Sequence, residues 1–98
     1  MIVRVVKLTI DPERVNDFQQ MFEKKKEKIR NFPGCKRLEL LRDRTENNIF
    51  FTYSFWNLET DLENYRKSEM FAETWEYTKS LFSGKPEAWS LDQKAVLM

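Results

Sequence analysis

Three observations predict an α+β chain with the element order β-α-β-β-α-β. The first is the run Ile49 to Trp56, which holds no charge, glycine or proline and is rich in aromatic and β-branched residues. Such a run suits a strand with neighbours on both flanks and cover on both faces. The second is a pair of stretches with helical apolar spacing, one before and one after a strand pair that ends on this run. The third is the turn chemistry between elements: Asp11-Pro12, Phe32-Pro33-Gly34 and Ser83-Gly84-Lys85-Pro86.

Taken in order, residues 1–10 form the first strand. Ile2, Arg4, Val6, Leu8 and Ile10 share one face, and Val3, Val5, Lys7 and Thr9 the other. Asp11 caps a helix, Pro12 takes its first position and Glu13 complements its positive end. That helix is expected to reach about Asn31, with Val15, Phe18, Met21, Phe22 and Ile29 as its apolar stripe. The basic cluster Lys24, Lys25, Lys26, Lys28 and Arg30 reads as a solvated face that complements the helix dipole, with Glu23 and Glu27 interleaved. Residues 36–43 form the second strand, with Leu38 and Leu40 on one face and Leu41 on the other. A polar hairpin loop over residues 44–48 leads to the third strand. In it Ile49, Phe51, Tyr53 and Phe55 oppose Phe50, Thr52, Ser54 and Trp56. Asn57 is expected to cap a second helix with Leu58, Leu62 and Tyr65 inward. Ser68-Glu69 marks a break with its own cap. A further helix carries Phe71, Trp75 and Leu81 to about Phe82. Residues 88–96 form a fourth strand.

Composition narrows the function. The chain has 98 residues, which predicts one domain over 1–98 with a modest core. Seventeen basic and 16 acidic residues give a net charge of +1, so no nucleic-acid or membrane partner is expected. The start of the chain has no signal-peptide pattern, and the lone Cys35 has no partner for an internal disulfide; both suggest a cytoplasmic protein. The absence of histidine removes Ser-His-Asp and Cys-His catalysis and His-based metal sites. Only Gly34 and Gly84 are present, so no glycine-rich phosphate loop can be built. The remaining chemistry uses aromatics, carboxylates, Arg, Lys and backbone groups, with no metal and no cofactor expected.

The element order is the ferredoxin-like split pattern, with strands one and three central in a four-stranded antiparallel sheet and the helices on one face. The open face then carries apolar residues of strands one, three and four. A homodimer through that face, a dimeric α+β barrel, is the expected arrangement.

The run Trp56-Asn57-Leu58-Glu59, followed by Leu62, Tyr65, Ser68, Phe71 and Trp75, resembles the signature of the antibiotic biosynthesis monooxygenase (ABM) family. So does Pro33-Gly34-Cys35 leading into Leu38-Glu39-Leu40. The resemblance covers nearly the whole chain in element order. It implies a dimeric α+β barrel and, in several members, oxidation of polycyclic phenols or quinols by O2 without a cofactor; one branch degrades heme. The heme branch has an asparagine, a tryptophan and an iron-ligating histidine at the positions of Val6, Tyr65 and Trp75, and none matches. Quinol-oxidising members often carry histidine where Tyr65 stands.

Cofactor-free oxygenation needs a dry aromatic pocket, substrate orientation and help in forming a phenolate. Tyr65 is the candidate hydrogen-bond donor or proton shuttle. Arg4, on one strand face with Val6, is the candidate phenolate stabiliser. Val6, Phe51, Tyr53, Trp56, Trp75 and Trp89 are the candidate walls for a small aromatic ligand. Each has a plainer reading: the aromatics as packing, Tyr65 as a helix anchor, Arg4 reaching to water. Cys35, with no histidine or evident cationic pocket, reads as a small hydrophobe. The expected function is therefore cofactor-independent monooxygenation of a phenol or quinol. The alternative is a non-catalytic dimeric module that binds a small ligand. An RNA-binding ferredoxin-like domain is disfavoured, because the third strand lacks the basic, glycine-containing recognition pattern.

Overall fold

The computed structural model describes residues 1–98. Strands β1 (Ile2–Thr9), β2 (Cys35–Arg42), β3 (Ile49–Trp56) and β4 (Glu87–Asp92) alternate with helices α1 (Val15–Arg30), α2 (Glu59–Arg66) and α3 (Glu69–Lys79). The sheet order is β2-β3-β1-β4 and every pairing is antiparallel. The two central strands are the expected ones, and β3 is Ile49–Trp56 as read from the sequence.

Local chemistry explains most boundaries. Asp11 Oδ1 accepts from the Glu13 amide at 3.0 Å, and Pro12–Arg14 forms one 3-10 turn before α1. Gly34 ends the connection to β2 at φ 90°, a left-handed conformation that costs glycine little. A Cβ built there would overlap the Asp61 side chain. Ser68 Oγ accepts from the Phe71 amide at 3.1 Å, which makes the expected break between α2 and α3.

Three boundaries differ from expectation. Leu58, not Asn57, is the N-cap of α2. The Asn57 amide instead bonds the Gly34 carbonyl at 2.8 Å, and the Asp61 carboxylate takes the Leu58 amide at 3.1 Å. Helix α3 stops at Lys79, so Leu81 and Phe82 lie beyond it. The Leu81 carbonyl accepts from Asp11, and Phe82 bridges to Ile10. Strand β4 ends at Asp92 rather than Val96. Asp92 pairs with Ile2, the first residue of β1, so residues further on have no strand of this chain to pair with.

The register fixes the two sheet faces. Arg4 lies opposite Ser54 and Ser90, Val6 opposite Thr52 and Ala88, and all point toward the helices with Leu8 and Trp56. Val5 lies opposite Tyr53 and Trp89 on the outer face. Under the helices the core forms two clusters. Leu8, Ile10, Phe18, Phe50 and Leu81 make one; Cys35, Trp56 and Leu62 make the other. Phe18 and Phe50 meet with ring centroids 4.9 Å apart. No helix is long and apolar enough to cross a membrane.

Candidate functional site

The space between the two core clusters is not filled. A cavity of about 280 Å³ lies between the inner sheet face and the helices, touching Leu8 and Phe18 of one cluster and Trp56 and Leu62 of the other. That size sits at the lower edge of the usual ligand-pocket range of ~300–1,000 Å³. Strand β1 supplies Arg4 and Val6, strand β3 supplies Thr52, Ser54 and Trp56, and α1 supplies Met21 and Phe22. Helices α2 and α3 close it with Tyr65, Arg66, Phe71, Thr74 and Trp75.

The aromatic wall is held by ring contacts. Trp56 is fully buried, donates its indole N–H to Ser54 Oγ at 2.9 Å, and stacks on Tyr65 at 5.0 Å between centroids. Tyr65 meets Phe71 edge-on at 5.1 Å, and Phe71 stacks on Trp75 at 5.9 Å with an interplanar angle of 11°. Each such pair contributes roughly 0.5–1.5 kcal/mol beyond burial and fixes ring orientation. A planar ligand therefore meets a wall already set.

The polar groups of the lining include Tyr65, Arg4, Arg66 and Thr74. The Tyr65 hydroxyl makes no hydrogen bond within the chain, and burial, with a smaller push from Cys35, raises its pKa far above the usual tyrosine value. At neutral pH it is a neutral donor, not a base. Arg4 Nη1 donates to Ser90 Oγ at 2.9 Å. Burial, then the charge of Arg66, lowers the Arg4 pKa from its usual value. Thr74 Oγ1 is buried without a hydrogen-bond partner. The lining contains no carboxylate and no imidazole, so no side chain in the cavity serves as a general base at neutral pH.

Five of the sequence-derived candidates come together here: Arg4, Val6, Trp56, Tyr65 and Trp75. Phe51, Tyr53 and Trp89 do not. Strand alternation puts Phe51 and Tyr53 on the face opposite Trp56, and the pairing of Trp89 with Val5 carries it to the same outer face. They are absent from the cavity lining, so their role as pocket walls is set aside. Cys35 is buried beside Trp56 and Leu62, with its thiol pKa raised mainly by burial.

Sequence reading passed over Arg66 and Thr74. A signal for Thr74 existed: Phe71, Thr74, Trp75 and Thr78 follow the i, i+3, i+4, i+7 spacing of one helix face, so a threonine in that stripe points inward. Arg66 follows Tyr65 directly, and only the tertiary fold brings it to the opening.

A model of the antibiotic biosynthesis monooxygenase family matches residues 1–77, which carry β1 through α3 nearly to its end and most of the cavity lining. The chain belongs to the antibiotic biosynthesis monooxygenase family. Solved structures share the ABM fold at low identity. A conserved protein from Methanosarcina mazei is 21% identical with a TM-score of 0.89, over 96% of this chain and 94% of that one. A crystal structure of an antibiotic biosynthesis monooxygenase is 18% identical with a TM-score of 0.90, over 97% and 100%. SnoaB from Streptomyces nogalater, a cofactor-independent oxygenase solved as a mutant, is 18% identical with a TM-score of 0.87, over 98% and 95%. At these identities the likeness establishes the ferredoxin-like α+β fold. No curated protein sequence matches the chain.

Proposed function

We propose that this ABM protein is a cofactor-independent monooxygenase acting on a small aromatic phenol or quinol, within one domain spanning residues 1–98. The observation that carries the reading is the unpartnered Tyr65 hydroxyl in an aromatic cavity lined by Trp56, Phe71 and Trp75. The cofactor-independent oxygenase activity of SnoaB, a structural neighbour, supports it.

In this reading Trp56, Tyr65, Phe71 and Trp75 hold the substrate ring away from water, and Arg4 favours its phenolate by charge. No cavity base takes the phenol proton, so it leaves to solvent as the guanidinium lowers the phenol pKa. The phenolate reduces O2 and one oxygen atom bonds to a ring carbon that bears hydrogen, para to the oxygen in a phenol and ortho to it in a para-quinol. The O–O bond then breaks, that carbon loses its hydrogen, and the second oxygen leaves as water. The balance is a phenol plus O2 giving a quinone plus H2O, or a quinol plus O2 giving a hydroxyquinone plus H2O, with the substrate supplying all four electrons. Tyr65 donates a hydrogen bond to oxygen as negative charge builds on it.

The lack of a base in the cavity favours a second reading: a non-catalytic module that binds a small aromatic ligand. Oxygen uptake with a panel of dihydroxynaphthalenes separates the two. Uptake that falls in Tyr65→Phe supports the oxygenase, and tight binding without consumption selects the module.

A second copy of the chain covers the outer sheet face. Trp89, Leu91 and Leu41 are 43%, 48% and 44% exposed there, beside Val5 and the Tyr53–Phe55 ring pair. An apolar sheet face of this kind suits an isologous dimer. The lone thiol of Cys35, buried and protonated, suits a reducing compartment such as the cytoplasm.

A further inference from the structure

Two guanidiniums line the cavity without a carboxylate partner. Arg4 and Arg66 form no ion pair, as is true of most of the 17 basic residues; what sets these two apart is that they alone among them line the cavity. Acids are within sequence and register reach. Asp92 is diagonal to Arg4 on the same sheet face, and Glu63 and Glu69 lie three residues either side of Arg66. None of them forms an ion pair with either arginine. Arg4 and Arg66 line the same cavity, and burial, then the charge of Arg66, lowers the Arg4 pKa. Arg66 is exposed and Arg4 half-buried, so at least one of the two guanidiniums is open to solvent. Two like charges lining one cavity are unfavourable until an anion joins them. Guanidiniums match the planar, two-oxygen geometry of a carboxylate, and two of them exceed what one phenolate oxygen satisfies.

A second polar feature points the same way from another element. Thr74 Oγ1, on α3, is buried in the lining and has neither a donor nor an acceptor to meet it. A buried hydroxyl in that state costs stability unless a ligand oxygen completes it. The rest of the wall is apolar and aromatic.

We infer that Arg4 and Arg66 form a carboxylate clamp, so that the cavity takes a hydroxylated aromatic carboxylic acid of one or two fused rings. The acid group lies between the guanidiniums, the ring lies against Trp75, and a ring oxygen reaches the Tyr65 and Thr74 hydroxyls. This rests on the cavity being the substrate pocket, and it adds the charge and class of the substrate.

The test compares 1-hydroxy-2-naphthoate with 1-naphthol, which keeps the ring and hydroxyl but lacks the acid, by titration followed through tryptophan fluorescence and calorimetry. The naphthoate is expected to bind about tenfold or more tighter, from charge-assisted hydrogen bonds. Arg66→Gln, an exposed position that leaves the core intact, is expected to remove most of that preference while 1-naphthol binding is retained. Arg4→Met, which also removes the charge that favours the phenolate, is expected to weaken both ligands and the naphthoate more, with circular dichroism confirming its fold. Lys67→Gln, which removes one positive charge next to Arg66 but outside the cavity, is expected to keep the preference. Equal binding of the two ligands, or a preference lost equally in Lys67→Gln, overturns the clamp and leaves the aromatic pocket standing. Failure of both ligands to bind overturns the pocket and the clamp together.

Discussion

Trp89→Asp tests the outer face of the sheet as a subunit interface. Trp89 is 43% exposed on that face, and a tryptophan presents roughly 200 Å² in all, which leaves about 90 Å² to be covered. At ~25 cal/mol per Å² its burial contributes about 2 kcal/mol. An isologous dimer buries the residue from both copies, so the substitution removes about 4 kcal/mol, before any cost of burying two carboxylates. That corresponds to about a thousandfold weaker association. Trp89 stands on the edge strand β4 and outside both core clusters, so the monomer keeps its fold. Light scattering coupled to size exclusion, over a dilution series with circular dichroism alongside, is the assay. The wild-type chain is expected as a dimer and Trp89→Asp as a folded monomer at the same concentration. A wild-type monomer at micromolar concentration, or a Trp89→Asp protein that dimerises as well as the wild type, refutes the reasoning.

Three further outcomes follow from local geometry. Gly34→Ala forces a side chain onto a φ of 90° and against Asp61, so it is expected to cost about 1–3 kcal/mol and to lower Tm in a thermal melt. Thr74→Val removes an orphaned hydroxyl, so the unliganded protein is expected to gain up to about 1 kcal/mol in a denaturant melt while its affinity for hydroxylated aromatics falls. Tyr65 has its pKa raised by folding above the unfolded value of 10.0, so the unfolded state releases this proton first as pH rises. Stability from the neutral tyrosine is thus present below pH 10.0 and is lost above it. Tyr65→Phe is expected to flatten the loss of stability above that pH. Cys35, also raised by folding, contributes to the same alkaline loss and remains in the variant, which isolates the tyrosine part.

The fold was legible because local and tertiary signals agree. Ile49 to Trp56 became β3 at those bounds, since an uncharged aromatic strand satisfies propensity and double-sided burial at once. The misplaced boundaries share a cause: a tertiary partner overrode a local rule. Asn57 looks like a helix cap, but its amide is claimed by Gly34, and Asp61 reaches back to Leu58 instead. Residues 93–96 alternate like a strand, yet β1 begins at Ile2 and offers them no edge.

The site divides along the same line. Arg4, Val6, Trp56, Tyr65 and Trp75 were readable as large or charged groups on inward faces, and they meet around the cavity. Phe51, Tyr53 and Trp89 have rings large enough to wall a pocket, but alternation sets Phe51 and Tyr53 on the face opposite Trp56. Arg66 has no sequence signal, because an exposed helix arginine is ordinary; only the fold places it in one cavity lining with Arg4. The cavity itself has no sequence signal. It exists because two core clusters stop short of each other.

The most direct test of the proposed chemistry is oxygen uptake under 18O2 with dihydroxynaphthalenes and 1-hydroxy-2-naphthoate, with the products read by mass spectrometry. The expected result is one O2 consumed per quinone or hydroxyquinone formed, a single 18O atom in that product, no accumulated hydrogen peroxide, and a marked fall in rate for Tyr65→Phe. Binding of these compounds in the cavity with no oxygen consumed, or oxidation that carries no 18O into the product, would contradict it.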